Sequence, residues 1–547
     1  MKERLRTDVP ESPGAPPRAR RLAVSAALFS LATGLSRVLG LAREVVAAAL
    51  LGLTGGPATA FTVAGQVPNV VRSFVADAAL GAAFVPVFAD LIDRGERARA
   101  WRVASTLLTL TVLVLTLVTV LFELSARAVL EALGFGDVSD LTVLLARILF
   151  PTVVLLGLSG IVSAMLNAFD EFVAPAIAPV YWNLTILVFL LVGFLLDDAG
   201  DQVTLYAVGV LVGTAVQFLT PLRALRGRGG RLRPALGVRD PLVRRVLLLM
   251  GPITLGLGLI NVNLAIAVWF ADRDVLDVAP LTDYWPAAID KAFRVYMLPQ
   301  GMFSVAVAAV LFPTLARLAT AGEIPAFRRQ FADGVRQIVW LLVPASVVCA
   351  VLAEPMIRLL YQHGAFTAEQ TPGVAQALAA FSLGLAANGV ILLLNRSFFS
   401  LQRPWLPTLV ALANLAITTA LLAALYRTGW GIPLATSLAN LVQLVLLWVL
   451  LRRRVGPLHL RAVLDGLART LACSAVLGAA AWAVWWTLDA LLGRSFGGQV
   501  VALGAALTVG GAVYLGASRL ARLPEVALVT GLLRRRMRRA PTALGEP

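Results

Sequence analysis

Four arginines stand inside stretches of sequence that are otherwise apolar. Arg37 and Arg43 lie in SRVLGLAREVV, Arg72 in VPNVVRSFVAD and Arg294 in IDKAFRVYMLP. A guanidinium stays charged at any physiological pH, and its planar fork matches two oxygens of a phosphate or carboxylate at once. A charge at the centre of a membrane helix costs on the order of 2.5 to 3.5 kcal/mol, so it persists where it is paired or lines a wet cavity. The carboxylates that could neutralise these arginines are fewer: Glu44, Asp77 and Asp290. Glu44 follows Arg37 by seven residues and Asp290 precedes Arg294 by four, so each pair shares a helix face. Two readings are open. Either the bases and acids pair to fix helix packing, or the excess of bases lines a cavity for a polyanion. The excess favours the cavity. Gly40, Gly52, Gly55 and Gly56, with Pro68 and Pro299, stand beside the charges and predict bent helices around a hydrated space.

The elements that must carry these arginines are membrane helices. Of 547 residues 59% are hydrophobic and only 14% charged, with mean hydropathy +0.83, far below the roughly 25% charged share of soluble domains. Continuously apolar windows of about 20 residues recur from near residue 22 to 518, which predicts an all-α polytopic protein of about fourteen transmembrane helices. The net charge of +16 would suggest nucleic acid in a soluble protein. Here the basic residues cluster at the ends of apolar spans, as topology signals, and no nucleic-acid partner is expected. Loops after the second, sixth, eighth and twelfth spans hold Arg94, Arg97, Arg99 and Arg102; Arg223 to Arg233; Arg328 and Arg329; and Arg452 to Arg454. Opposite loops carry Asp197, Asp198 and Asp201, or Asp272, Asp274 and Asp277. Both termini are therefore expected in the cytoplasm, with no cleavable leader before the first span. The expected division is a basic tail 1–21, a first lobe 22–225, a basic cytoplasmic loop 226–240, a second lobe 241–451, two additional helices within 463–518 and a basic tail 519–547.

Enzymatic chemistry has no visible home. Cys349 and Cys473 sit in apolar segments without metal or redox spacing, and His363 and His459 are isolated in loops. No Walker loop, dinucleotide fingerprint or nucleophile elbow is present. No cofactor and no metal site are expected.

A weak internal repeat suggests a carrier instead. GAAFVPVFADLIDRGE from Gly81 aligns with AAVLFPTLARLATAGE from Ala308, sharing Pro86/Pro313, Leu91/Leu318, Gly95/Gly322 and Glu96/Glu323. LNAFDEFVAP and FFSLQRPWLP are similarly placed. An offset of six spans keeps the same orientation, so two six-helix lobes would be related by an axis along the membrane normal.

The segments SRVLGLAREVVAAALLG, VPNVVRSFVADAALGAAFVPVFADL and LLYQHGAFTAEQT, the last followed by FFSLQRPWLPTL, resemble the MurJ (MviN) lipid II flippases of the multidrug/oligosaccharidyl-lipid/polysaccharide exporter superfamily. The resemblance implies fourteen helices, two lobes around a V-shaped cavity and a groove between the last two helices for the undecaprenyl tail. It implies alternating access in the bacterial inner membrane, driven by the membrane potential or a coupling ion, sodium or proton. Lipid II would be the substrate, with membrane lipids and cell-wall synthesis proteins as partners. The family's cavity arginines correspond to Arg37, Arg43, Arg72 and Arg294. Glu44 replaces the usual aspartate and Asp77 the usual glutamate, both keeping the charge. Thr59 stands where the family has an acidic residue, so the gating role of that carboxylate has no carrier there. A sodium site would fall to Asn263, Asn414 and Ser437. The alternative function is a related exporter carrying another polyprenyl-linked glycan or a drug, although a drug exporter would want carboxylates where this sequence has arginines.

Overall fold

The computed structural model describes residues 18–52, 56–73, 84–85, 87–92, 94–133, 138–169, 171–272, 285–403 and 405–526. Asp77, Asp274, Asp277, part of the first repeat copy and most of both tails lie outside the described residues. The described residues are all-α. The helices are α1 (Arg18–Leu51), α2 (Gly56–Ser73), α3 (Arg97–Ala132), α4 (Asp140–Leu149), α5 (Thr152–Ala168), α6 (Val173–Gly193), α7 (Ala199–Ala224), α8 (Pro241–Asp272) and α9 (Trp285–Pro299). A π-helical turn, Gln300–Ser304, leads into α10 (Val305–Thr320). Then come α11 (Ile324–Val351), α12 (Ala353–Tyr361), α13 (Thr371–Ser382), α14 (Leu385–Ser400), α15 (Trp405–Leu425), α16 (Gly431–Val455), α17 (Leu460–Leu492) and α18 (Phe496–Leu520). Nine segments among the described residues are long and apolar enough to cross a membrane, α4 and α5 together making one. The pair α13 and α14, bent by 44° at a short break, forms a tenth if taken as one span.

Side-chain polarity is inverted relative to a water-soluble protein. On α3, Leu113, Leu117, Leu121 and Leu124 are exposed along one stripe, whereas Arg43, Glu44 and Arg358 are buried. Exposed leucines and buried charges coexist when the outer solvent is hydrocarbon and the interior holds the polar work.

Helices outrun their apolar windows. Arg97, Arg99 and Arg102, expected in a loop, form the first turns of α3; Arg328 and Arg329 lie early in α11, Arg223 in the last turn of α7 and Arg452 to Arg454 in the last turn of α16. A helix satisfies its own backbone and so continues past the hydrocarbon edge, where long basic side chains reach water. Cations at the start of α3 oppose the helix dipole, so helix stability is not what places them there.

The two aligned segments end in the same turn geometry. Gly95 and Gly322 adopt left-handed φ of +79° and +73°. In each copy the glycine N–H donates three residues back and the following glutamate N–H five residues back, Gly95 to Ile92 and Glu96 to Leu91, then Gly322 to Ala319 and Glu323 to Leu318. This helix-ending motif needs a residue with positive φ, which glycine alone adopts without strain. The second pair of segments is closed alike, by Glu171 N–H to Leu166 and Arg403 N–H to Phe398.

Gly40 does not break its helix, as α1 runs through it. A Cβ there would stand 3.7 Å from the Asn183 amide oxygen, an ordinary contact, so the packing would also accept a small side chain. Pro299 widens rather than ends the helix: its missing N–H and its ring disrupt the normal ladder, and the π turn follows at once.

The end of α1 touches the loop after α12 backbone to backbone. The Ala365 N–H donates to the Ala49 carbonyl at 2.8 Å. A Cβ on Gly364, whose φ is +59°, would lie 2.2 Å from that same carbonyl. Gly364→Ala is therefore expected to lose about 2 kcal/mol or more of stability from strained φ and the lost contact. An unfolding temperature equal to the parent's would show that this seam yields.

Candidate anion-binding cavity

Three helices present one face each to a common space. From α1 come Arg37, Gly40, Arg43 and Glu44; from α2, Gly65, Pro68, Asn69 and Arg72; from α9, Asp290, Phe293, Arg294 and Met297. Spacings of three and four residues put each set on one helical stripe, as the sequence pattern required. With α6 and α7 contributing Trp182 and Tyr206, these residues enclose a cavity of about 480 Å³. All four arginines picked out by membrane cost line it.

Glu44 is the hub of the charges. Its Oε1 accepts from Arg43 Nη2 at 2.5 Å and from Arg294 Nη1 at 2.9 Å, and its Oε2 accepts from Lys291 Nζ at 3.0 Å. The Glu44 side chain is 6% exposed and that of Arg43 8%. Arg294 also donates from Nε to Asp290 Oδ2 at 2.8 Å and remains 37% exposed to the cavity. A buried carboxylate loses its hydration and needs its oxygens occupied, which these three cations supply. The contacts of Glu44 join α1 to α9, elements from opposite halves of the chain.

Each arginine is held differently. Arg43 lies over the Trp182 ring at 4.5 Å, and Trp182 Nε1 donates to Thr214 Oγ1 at 3.2 Å, which fixes the ring as a platform. Arg37 Nη2 donates to the Gly301 carbonyl at 3.0 Å, inside the π turn. Such a turn displaces carbonyls from the regular ladder and leaves one to accept from a side chain. Arg72 is exposed to the cavity. The pairing inferred from spacing holds for Asp290 with Arg294, while Glu44 shares the cavity with Arg37 but binds Arg43, Lys291 and Arg294.

Lys291 was missed as a site residue. It lines a small pocket adjoining the cavity with Glu44, Asp290 and Arg294, and its ammonium lies 5.9 Å from the Tyr361 ring. Among the described residues, the site sets five cations, Arg37, Arg43, Arg72, Lys291 and Arg294, against two carboxylates, Glu44 and Asp290. Such a cavity attracts a polyanion and repels a cation.

The sequence model of the family described as "Lipid II flippase MurJ" matches residues 47–496. The chain belongs to the MurJ family. A MurJ relative from Rhizobium tropici, named "Probable lipid II flippase MurJ", is 32% identical over 81% of this chain and 83% of its own length. One from Vibrio cholerae, of the same name, is 30% identical over 86% and 90%. In fold the chain is similar to a solved MurJ described as "Lipid II flippase MurJ, inward closed conformation", with TM-score 0.72 at 21% identity over 90% of this chain and 98% of that one. It is also similar to an inward-facing multidrug resistance MATE transporter of the MOP superfamily, with TM-score 0.65 at 15% identity over 77% and 95%.

Of the three polar residues expected for a MurJ sodium site, Asn263 and Asn414 are linked through Thr418, whose hydroxyl donates to the Asn414 carbonyl at 2.8 Å. Asn263 Nδ2 donates to Thr418 Oγ1 at 3.2 Å, one turn after Asn414, whose Oδ1 is buried with no hydrogen-bond partner. Ser437 is engaged elsewhere: its hydroxyl is 2.7 Å from the Ala380 carbonyl and 3.1 Å from that of Phe381, at the end of α13 where it breaks from α14. Thr59 is buried in α2.

Proposed function

We propose that this chain is a lipid II flippase, moving undecaprenyl-pyrophosphate-linked peptidoglycan precursor from the inner to the outer leaflet of the cytoplasmic membrane. The observation that carries the reading is the cation-rich cavity between α1, α2 and α9, in a chain of the MurJ family. Arg37, Arg72 and Arg294 bind the pyrophosphate, and Arg43, held on Trp182, holds Glu44 in place. Crossing bare hydrocarbon would cost the headgroup several kcal/mol for each unsatisfied polar group, which a wet cavity avoids. Fourteen helices form two six-helix lobes, rocking about the Glu44 ion pairs, and α17 with α18 adds the groove for the lipid tail. Coupling to sodium would use Asn263, Asn414 and Thr418. The test is rescue of a strain depleted of its lipid II flippase, beside binding of lipid II and of other polyprenyl pyrophosphates by purified protein. Absence of rescue, with preference for a different polyprenyl-linked glycan, would turn the reading to another exporter.

Both termini lie in the cytoplasm on this reading. Cysteines at Arg228 and Arg453 are then expected to react with an impermeant maleimide only after the membrane is opened, and one at Asp198 in intact cells. Labelling of Arg228→Cys in intact cells would invert the topology.

A further inference from the structure

Away from the cavity, α11 and α17 begin and α16 ends around a second hollow, of about 790 Å³. Arg328 and Arg329 line it from α11, Arg452 from α16 and Arg461 from α17. None of the four has a carboxylate partner among the described residues. Four like charges gathered without a counter-charge repel one another, and an anion relieves that cost.

The backbone adds to the attraction. Gly456, at φ +86°, and Pro457 turn the chain sharply from α16 into α17. His459 then caps α17 in a left-handed conformation with no side-chain hydrogen bond, so the first amide groups of that helix are not closed by a cap. Leu460, Arg461 and Ala462, which carry those groups, line the hollow. Free amides and the positive end of the helix dipole favour an anion there. Across the hollow, Arg328 lies over Gly456, where a Cβ would stand 3.0 Å from its Nη1, and its Nε is buried with no hydrogen-bond partner.

We propose that this hollow is a second anion site, distinct from the transport cavity, which binds a phosphate group through Arg328, Arg329, Arg452, Arg461 and the start of α17. Two sources share that chemistry: the headgroup of an anionic membrane lipid and a soluble phosphate. Basic pockets between membrane helices hold lipid headgroups by these same means. The site stands independently of the substrate assigned to the cavity.

The experiment uses the full chain purified in neutral detergent. One arm counts retained phosphatidylglycerol and phosphatidylcholine by native mass spectrometry, and the other titrates inorganic phosphate by calorimetry. The paired variants are R328Q/R329Q on one wall and R452Q/R461Q on the other, the second pair exposed and so harmless to packing. The paired variant R244Q/R245Q, at the start of α8, controls for net charge. The parent is expected to retain phosphatidylglycerol over phosphatidylcholine at least about tenfold, each pair to lose most of that preference and the control to keep it. Preference for phosphatidylglycerol without phosphate binding assigns a lipid headgroup. Phosphate binding that either pair removes assigns a soluble phosphate. Lipid preference and phosphate binding that are both unchanged by the two pairs, or fall equally in the control, or the absence of both in the parent, overturn the site.

Discussion

Arg72→Ala is expected to abolish rescue of a flippase-depleted strain while leaving the amount of protein in the membrane within about twofold of the parent. Arg72 is exposed to the cavity, and on the proposed reading it is a ligand of the pyrophosphate, so truncating it removes binding. A charge-assisted bond of this kind is worth about 1.5 to 3 kcal/mol, or roughly ten- to a hundredfold in binding. Arg72→Lys is expected to keep part of the activity, because an ammonium supplies the charge without the two-pronged geometry. Arg37→Ala should behave alike, since it leaves only the Gly301 carbonyl, which water can reach in a wet cavity. Complementation scored beside membrane abundance separates the cases. A fall in abundance that tracks the fall in rescue would show that these arginines hold the helices together.

Glu44→Ala is expected to fail differently, by loss of the protein itself. Arg43, Lys291 and Arg294 converge on this one buried carboxylate, and its removal leaves cations in a desolvated place without their partner. Breaking such a buried cluster costs about 3 to 5 kcal/mol, a large share of the stability of most folds. The double variant Glu44→Ala/Lys291→Met should recover part of the abundance, since it withdraws one stranded charge with the acid. Recovery of abundance without rescue of growth is the expected signature of a hub that both stabilises and moves. Full abundance in Glu44→Ala alone would mean that water, not Glu44, satisfies the three cations.

The cavity was legible in the sequence because hydrocarbon makes charges conspicuous: Arg37, Arg43, Arg72 and Arg294 needed a reason to be where they are. The partners were less legible. Lys291 follows Asp290 directly, but a helix turns side chains about 100° per residue, and Lys291 reaches Glu44 on α1, a partner that local spacing does not show. The acceptor of Arg37 is a backbone carbonyl, exposed only because Pro299 induces a π turn, and side-chain type carries no trace of it. Ser437 enters as an ion ligand only through the family resemblance, and the residues alone do not give its hydroxyl a purpose. The kink between α13 and α14 supplies one that no periodicity in the sequence announces. Of the fold, the all-helical class followed from the apolar windows, whereas helix ends did not, since Arg97 and Arg328 were read as loop by their charge.

The imbalance of five cations to two carboxylates among the described residues has an electrical consequence. On the proposed reading, the empty cavity carries positive charge through whatever part of the membrane field the rocking spans, while a bound diphosphate cancels most of it. Each unit charge moved across 100 mV exchanges about 2.3 kcal/mol with the field. The loaded stroke is then nearly indifferent to voltage, and the return stroke of the empty carrier runs downhill toward a negative interior. A cell that holds its inside negative would thus spend its potential on resetting the protein rather than on pushing the cargo, and turnover would slow on depolarisation even with lipid II bound as tightly as before.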